Sequence, residues 1–456
     1  MASNLRVDSI VPTTGANVSI GTATGGVTIP GDLGIAGVLT YEDVTNVDSV
    51  GVITARDGIR CTGIVTATAF HGDGSALTGV GASFGNSSVN STGIGTFSAL
   101  VSDTAFSHRN LIMNGRFDVF QRFLGGSQVV CNSGSNTYCM DRWYARGEGS
   151  KGVFTLIQQD IQSDAQGAHA AARVNVTTTS TPSTDDVYKI AQRIEGVNVR
   201  HLHFGTSAAK TITLSFLVKS TVTGTHGGSL MNSAQNRAYP FTYTISSANT
   251  WEQKSITIPG DTGGTWVTNT GIGLELNFDM GTAESNYRRP AGSWYAGRAE
   301  GADGAVQLIT QSSANWYVTK VQLEIGDTAT SFEHLTYPEE LARCQRYYYM
   351  HARGANKNIG QATVYQDNNL FVQLQFPVTM RAAPSRDVAS GGGYFTVYTN
   401  GSNDGFNTFS SSWNSTTTGT GLNAYSSDGV SGRSAGHSAM IITSNADAYL
   451  GFVAEL

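Results

Sequence analysis

Residues Asn110–Arg122 read N-L-I-M-N-G-R-F-D-V-F-Q-R, and the character of the chain changes across them. Upstream, the sequence is rich in Gly, Thr and Ser and holds little that could build a core. Downstream, apolar residues recur with period 2. Ile212, Leu214, Phe216 and Val218 alternate with Thr211, Thr213, Ser215 and Leu217. Ile272, Leu274, Leu276, Phe278 and Met280 repeat the pattern, and so do Tyr317, Thr319, Val321, Leu323 and Ile325. Alternation over such lengths predicts half-buried β-strands. The stretch is therefore the expected junction between a slender N-terminal part and a packed β body. Its polar residues, Asn110, Asn114, Asp118, Gln121 and Arg122, fit either a polar pocket or a strand and turn that lock the body to what precedes it.

The composition agrees with a β reading. The chain of 456 residues has only 14% charged residues but 54 Gly, with 18 Tyr, 19 Phe and 6 Trp. Gly, Ser, Thr and Asn favour short strands joined by tight turns, and the aromatic content is too high for a disordered chain. The formal net charge is -6. With no basic run, a nucleic-acid partner is not expected. No segment approaches the roughly 18 apolar residues of a membrane span, and the Met1 end has no apolar core, so synthesis in a cytoplasm without membrane insertion is expected. Cys131 and Cys139 could bridge a hairpin. Two reduced thiols are the expectation for such a product.

Upstream of the junction, Gly37-Val38-Leu39-Thr40 recurs as Gly51-Val52-Ile53-Thr54 and Gly63-Ile64-Val65-Thr66. Each unit is a β-branched strand too short to stand alone, so stability has to come from stacking on neighbours. The region lacks the apolar content for its own core, and three chains wrapped about one axis are the economical solution. The turns Gly31–Gly34 and His71–Ser75 would form its corners. Residues 31–109 are thus read as a repeat shaft and neck, after a segment 1–30.

Residues 110–334 are read as an antiparallel, jelly-roll-like β-sandwich. One helix is expected across 335–354, with Thr336 and Glu339 as a capping box, Pro338 in its first turn, and a stop near His351–Gly354. Leu341, Cys344 and Tyr348 would form its apolar stripe, making it a spacer able to pack about a symmetry axis. Residues 355–456 return to β structure as a tip, with a long loop from Asn400 to Ser434.

Four blocks resemble tail-fibre and receptor-binding structural proteins of tailed bacteriophages, in look closest to those of marine cyanophages. They are Leu5–Pro12, the shaft repeats Val50–Ile59 and Thr66–Gly74, Asn110–Arg122 with Asp141-Arg142-Trp143-Tyr144, and Val321–Gly326 through Tyr348. Phe376–Pro384 and Tyr449–Leu456 look like the distal domain that follows in such fibres. The resemblance implies a homotrimer in the virion, attached to tail or baseplate proteins by its N-terminus. Its C-terminal domains would meet a host surface glycan or outer-membrane protein, and the middle domain would be a carbohydrate-binding-like sandwich.

The sequence contains neither H-E-x-x-H nor a P-loop. No cofactor or metal is expected, and His201 and His203 are read as surface residues. A glycan-cleaving tailspike would need paired carboxylates. Asp141, Glu275, Asp279 and Glu324 are available by type, but Asp279 is expected to be solvated. A non-enzymatic binding role is preferred over such an enzyme and over a purely structural tail or collar protein.

The candidate receptor-binding residues are the aromatics of the last hundred residues, Tyr394, Tyr398, Phe406, Phe409, Trp413 and Tyr425, with Asn414. Their rings suit the C–H faces of sugars, and the neutral hydroxyls and amides around them suit sugar hydroxyls. An intersubunit core at a trimer tip is the alternative for the same residues. Asp141, Arg142 and Trp143 form a second candidate. They would be either a sugar-binding triplet or a core tryptophan beside an Asp–Arg ion pair that fixes a strand end.

Overall fold

The computed structural model describes residues 108–123, 128–148, 151–165 and 167–456, together with 7–8, 10, 28–36, 50, 52–56 and 59–66. Residues 1–96 and 97–456 form separate units. In the first unit, Val52–Thr54 and Ile64–Thr66 form no strand within the single chain, and their aliphatic side chains are exposed. The repeat at Gly37–Thr40 and the turn at His71–Ser75 lie outside the described residues.

The second unit is mostly β, with antiparallel ladders and, among the described residues, one helix longer than a single turn. Two six-stranded sheets face each other. The first runs in the order Gln128–Cys131, Val153–Ala165, Ala168–Thr178, Asn315–Ile325, Ile212–Ser220, Glu252–Ile258. The second runs Thr137–Tyr138, Trp143–Arg146, Lys189–Glu195, Ile272–Asp279, Gly224–Met231, Ala238–Ile245. Between them lies one core, centred on Phe278, whose ring stands 5.1 Å from Phe216, 5.3 Å from Trp316 and 6.4 Å from Trp143.

One strand departs from the simple alternation. In Asn315–Ile325 the register shifts between Thr319 and Gln322, and Lys320 has φ 52°. A bulge of this kind inserts an extra residue and reverses the phase. Trp316 and Val318 therefore face the core before it, and Val321 and Leu323 after it. Tyr317, expected in phase with Val321, lies on the other face, edge-on to Trp251.

The bulge makes room for Asn110–Arg122, which contains no strand and folds instead as an irregular buried clasp. Asn110 Oδ1 accepts hydrogen bonds from Ile112 and Leu323 N–H at 3.0 Å each, and its Nδ2 donates to the Val321 carbonyl at 3.0 Å. Gln192, reaching inward from the second sheet, holds both the N–H and the carbonyl of Met113, at 2.9 and 2.7 Å. Gly115 approaches the same strand so closely that a Cβ would stand 2.2 Å from the Val321 oxygen. Asn114 adopts φ 53°, which asparagine tolerates better than most residues. Its side chain bonds the N–H and carbonyl of Val119 and the carbonyl of Asp141. The pocket reading of this stretch is thereby replaced: Asn110 and Asn114 are buried and saturated by backbone.

The helix spans Tyr337–Gln345. The Glu339 carboxylate accepts from the Thr336 N–H at 2.9 Å and from its hydroxyl at 2.7 Å, as the capping box predicts. It stops earlier than expected because Tyr348–Arg353 forms a strand against Tyr449–Val453. Tyr348 is therefore a strand residue rather than part of a helical stripe. The helix packs on its own chain: Cys344 is buried, and Glu340 accepts from the Asn114 N–H at 2.6 Å.

Beyond it, a three-stranded sheet orders Tyr348–Arg353, Tyr449–Val453, Ser385–Val388. A seven-stranded sheet orders Ser402–Phe406, Phe395–Thr399, Ser438–Thr443, Asn358–Gln366, Asn369–Gln375, Gly419–Ala424, Ser411–Trp413. The expected loop from Asn400 to Ser434 thus contains three strands. Its start is a two-residue hairpin turn at Asn400 and Gly401, with φ 49° and 70°. Asn-Gly is the pair such a turn favours.

Candidate functional site

One face of the seven-stranded sheet packs on the core formed by Val364, Leu370, Val372, Val397, Leu422 and Ile441. The other face is open, and register decides what it carries. Tyr398 pairs with Asn403 on one side and Met440 on the other, and Met440 pairs with Gln361. Thr363 pairs with Phe371, Gln373 with Gly421, and Gly421 with Trp413. Because side chains alternate along each strand, these residues share the open face, as does Tyr365. None of these side chains carries a charge at neutral pH.

Trp413, Tyr398, Tyr365 and Met440 are exposed, and Phe371 is half-buried. Phe371 lies across the strand at Gly421, where a Cβ would stand 2.5 Å from its ring. Trp413 then leans edge-on against Phe371 at 5.6 Å and against Tyr365 at 6.4 Å. An open recess of about 760 Å³ lies at the other end, between the Asn400–Gly401 turn and Gln361, Thr363, Ser438 and Met440. Among the described residues, the Gln361 and Gln373 amides, the Tyr398 hydroxyl and the Trp413 N–H have no hydrogen-bond partner. The face thus offers flat rings for stacking and neutral donors and acceptors for hydroxyls.

The expected site residues fall into two groups. Tyr398 and Trp413 are on the open face, and Asn414, with φ 52°, is exposed in the turn after Trp413. Tyr425 is half-buried, with its hydroxyl 3.1 Å from that of Ser411, and Tyr394 is half-buried against the core. Phe406 and Phe409 are core residues, packed on Phe395 at 5.5 and 5.1 Å, and offer no ring face to a ligand. Gln361, Thr363, Tyr365, Phe371, Gln373 and Met440 were not anticipated. Their signal is the outward phase of strands 358–366, 369–375 and 438–443.

Asp141, Arg142 and Trp143 are fully buried. Trp143 belongs to the sandwich core and donates its Nε1–H to the Asn114 carbonyl at 3.1 Å. Asp141 and Arg142 do not pair with each other. Asp141 accepts from Gln121 N–H and Nε2 at 2.7 and 2.6 Å. Arg142 pairs with Glu455 and lies 3.5 Å over the Tyr347 ring. The two residues form the turn before the Trp143 strand, where Arg142 has φ 70°, and their side chains take partners from different elements.

The outer face of the sandwich's second sheet is closed by the chain itself. Lys189 bridges Glu275 and Glu300 at 2.6 and 2.8 Å, and Arg193 binds Glu275 at 2.8 Å. Burial pushes the Glu275 carboxyl up, but Lys189 and Arg193 outweigh it and hold it down to about 2. Asp279 is not solvated: it is buried, pairs with buried Arg288 at 2.8 Å, and accepts from the Gly281 and Thr282 N–H groups. Glu324 is buried on Gln322 and Thr330. Each carboxylate considered for acid–base work is thus committed to a fixed partner.

Cys131 and Cys139 are both free and buried in the core. Burial pushes the Cys139 thiol up to about 12, so it stays protonated at neutral pH.

No protein-family model matches the sequence. No curated protein matches it. Among solved structures, the chain is similar to the enzymatically active domain of tailspike protein 4 of bacteriophage CBA120. Identity is 12% over 48% of this chain and 21% of that one, with a TM-score of 0.25. It is also similar to a putative sugar-binding protein from Bacteroides thetaiotaomicron, at 10% identity over 48% of this chain and all (100%) of the other, TM-score 0.25. A third is the family 11 carbohydrate-binding module of a Clostridium thermocellum cellulase, at 11% identity, 45% and 98% coverage and TM-score 0.23.

Proposed function

We propose that this protein is a non-enzymatic, glycan-binding fibre of a tailed phage, and that the open face of its seven-stranded sheet holds the receptor. The observation that carries the reading is the make-up of that face. Rings lie along an uncharged sheet whose amides and hydroxyls have no partner of their own. Sugars present apolar C–H faces edged by hydroxyls, and such a surface satisfies both. A protein partner would be expected to meet a more charged rim.

The motif resemblance supplies the setting: a virion homotrimer, docked to the tail or baseplate by residues 1–30, with 31–109 as shaft and 355–456 outermost. The exposed Val52, Ile53 and Ile64 support the trimer, since side chains of this kind call for burial against another chain. Three copies on one fibre would turn weak single-site binding into firm attachment.

The test is competition. Purified full-length protein added to host cells should block phage adsorption, and the Trp413→Ala variant should block it less. Unchanged adsorption at saturating protein would refute receptor binding. Release of reducing ends from host polysaccharide would refute the non-enzymatic part.

A further inference from the structure

At the edge of the sandwich core, Phe204, Trp266 and Trp294 pack as a partly exposed aromatic cluster, away from the open sheet face. Phe204, Trp266 and Trp294 stand mutually edge-to-face at 5.0, 5.6 and 5.5 Å, and Tyr239 joins Trp294 at 5.3 Å. These residues come from four separate segments. Trp266 and Trp294 remain partly exposed, unlike the core tryptophans 143 and 316. The segment bearing Trp266 is rigidly held. Asp261 binds Arg237 at 2.8 Å, and its carbonyl accepts from the Gly205 N–H at 2.7 Å. Trp266 Nε1–H donates to the Gly263 carbonyl and Trp294 Nε1–H to the Pro259 carbonyl, at 3.1 and 2.7 Å. With both indole N–H groups used internally, the rings present carbon surface only.

A pocket of about 150 Å³ opens beside this cluster, walled by Phe204, Trp266, Leu202 and Val199 and rimmed by Arg200 and His203. Arg200 gives that rim a fixed positive charge. Among the described residues, no hydrogen bond or ion pair holds the side chains of Arg200, His203 or Lys210. Asp261, the acid of the loop that carries Trp266, is taken by Arg237. Burial, then Lys210, His203 and Arg200, hold the neighbouring His201 below the usual imidazole range, and Lys210 and Arg200 are the fixed cations beside it.

We infer that this pocket is a second carbohydrate site, and that it takes one acidic sugar unit, a pyranose bearing a carboxylate. A neutral sugar would use the rings and leave the cations idle. A simple anion would use the cations and leave the rings bare. A uronate ring uses both, its C–H face on Trp266 and Phe204 and its carboxylate toward Arg200. The inference does not depend on the open sheet face, which is uncharged and belongs to a different core.

The full-length protein should be titrated with sodium D-glucuronate, D-glucose and inorganic phosphate, reading tryptophan fluorescence and heat. Glucuronate should give saturable quenching, with glucose and phosphate each at least tenfold weaker. Arg200→Gln, an exposed substitution that the fold tolerates, should weaken glucuronate about tenfold or more and leave the glucose response unchanged. Phe204→Leu should weaken glucuronate without changing thermal stability by more than a few degrees. Trp413→Ala should bind glucuronate as the wild type does, which separates this pocket from the open face. No saturable glucuronate binding, phosphate or glucose binding as tightly, or an Arg200→Gln variant with wild-type affinity would each overturn the inference.

Discussion

Removing the Trp413 indole tests the open face most directly. A tryptophan offers about 250 Å² of surface, and Trp413 is 48% exposed, so roughly 120 Å² is available. A sugar ring covering about half of that contributes about 1.5 kcal/mol at 25 cal/mol/Å², roughly tenfold in affinity. Tyr398 is 39% exposed. The same reckoning from about 200 Å² gives about 1 kcal/mol, roughly fivefold. The two rings lie five strand-to-strand steps apart, roughly 24 Å at about 4.8 Å per step. Only an extended oligosaccharide reaches both. Calorimetry on Trp413→Ala, Tyr398→Ala and the double variant should therefore show losses that multiply to roughly fiftyfold for long host glycan. A disaccharide should respond to one substitution at most. Both positions are exposed, so melting temperatures should stay within a few degrees of wild type. Undiminished affinity for long glycan in the double variant would refute the reasoning, as would disaccharide binding that responds equally to both substitutions.

Asn114→Ala should destabilise the 97–456 unit by about 3–5 kcal/mol, since three buried backbone groups lose their partner at about 1–3 kcal/mol each and a left-handed backbone is imposed on alanine. Asn114→Gly, which relieves only the backbone part, should recover about 1 kcal/mol, as urea titration can check. Asp279→Asn breaks a buried pair and should cost about 3–5 kcal/mol in the same assay. Glu275 is held down to about 2, so its contribution is complete above about pH 4.5 and lost as the pH falls toward 2. Stability of the wild type minus that of Glu275→Gln should shrink by up to about 3 kcal/mol across that window and stay flat above it. Val52→Asp with Ile64→Asp should convert a trimer to monomers by light scattering, and an unchanged mass would refute the shaft reading.

The mostly β character and the capped helix start were legible because each rests on local signals: alternation at Ile212–Val218, and Thr336 with Glu339 three residues on. What was not legible depends on tertiary partners. Nothing local marks the bulge at Lys320, which exists because Asn110–Arg122 docks beside it and which turns Trp316 inward. Asp279 sits in an outward phase, and Arg288, brought over by the short strand Arg288–Arg289, helps make that face an interior. The helix was read too long because Tyr348 fits a helical stripe as well as a strand, and pairing with Tyr449–Val453 decides between them. The Asn400–Gly401 turn was present in the sequence as a hairpin signal and lay inside what was read as one long loop. Reading it would have placed Phe406 opposite Phe395 in the core and Tyr398 on the open face. The acidic-sugar pocket had no sequence signature, since its walls come from segments more than sixty residues apart.

The Asn110–Arg122 clasp also has a mechanical meaning. Gln121 donates to the Tyr348 carbonyl at 2.9 Å, Arg122 pairs with Glu455 at 2.9 Å, and Arg353 donates to the Arg122 carbonyl. A tensile load applied to the seven-stranded sheet would enter this clasp through Tyr348–Arg353 and leave by residue 110. Through Asn110 on Asn315–Ile325 and Met113 on Gln192, that load would also pass into both six-stranded sheets. The bonds that Gln121, Arg122 and Arg353 make would share such a load across the junction between the two β cores.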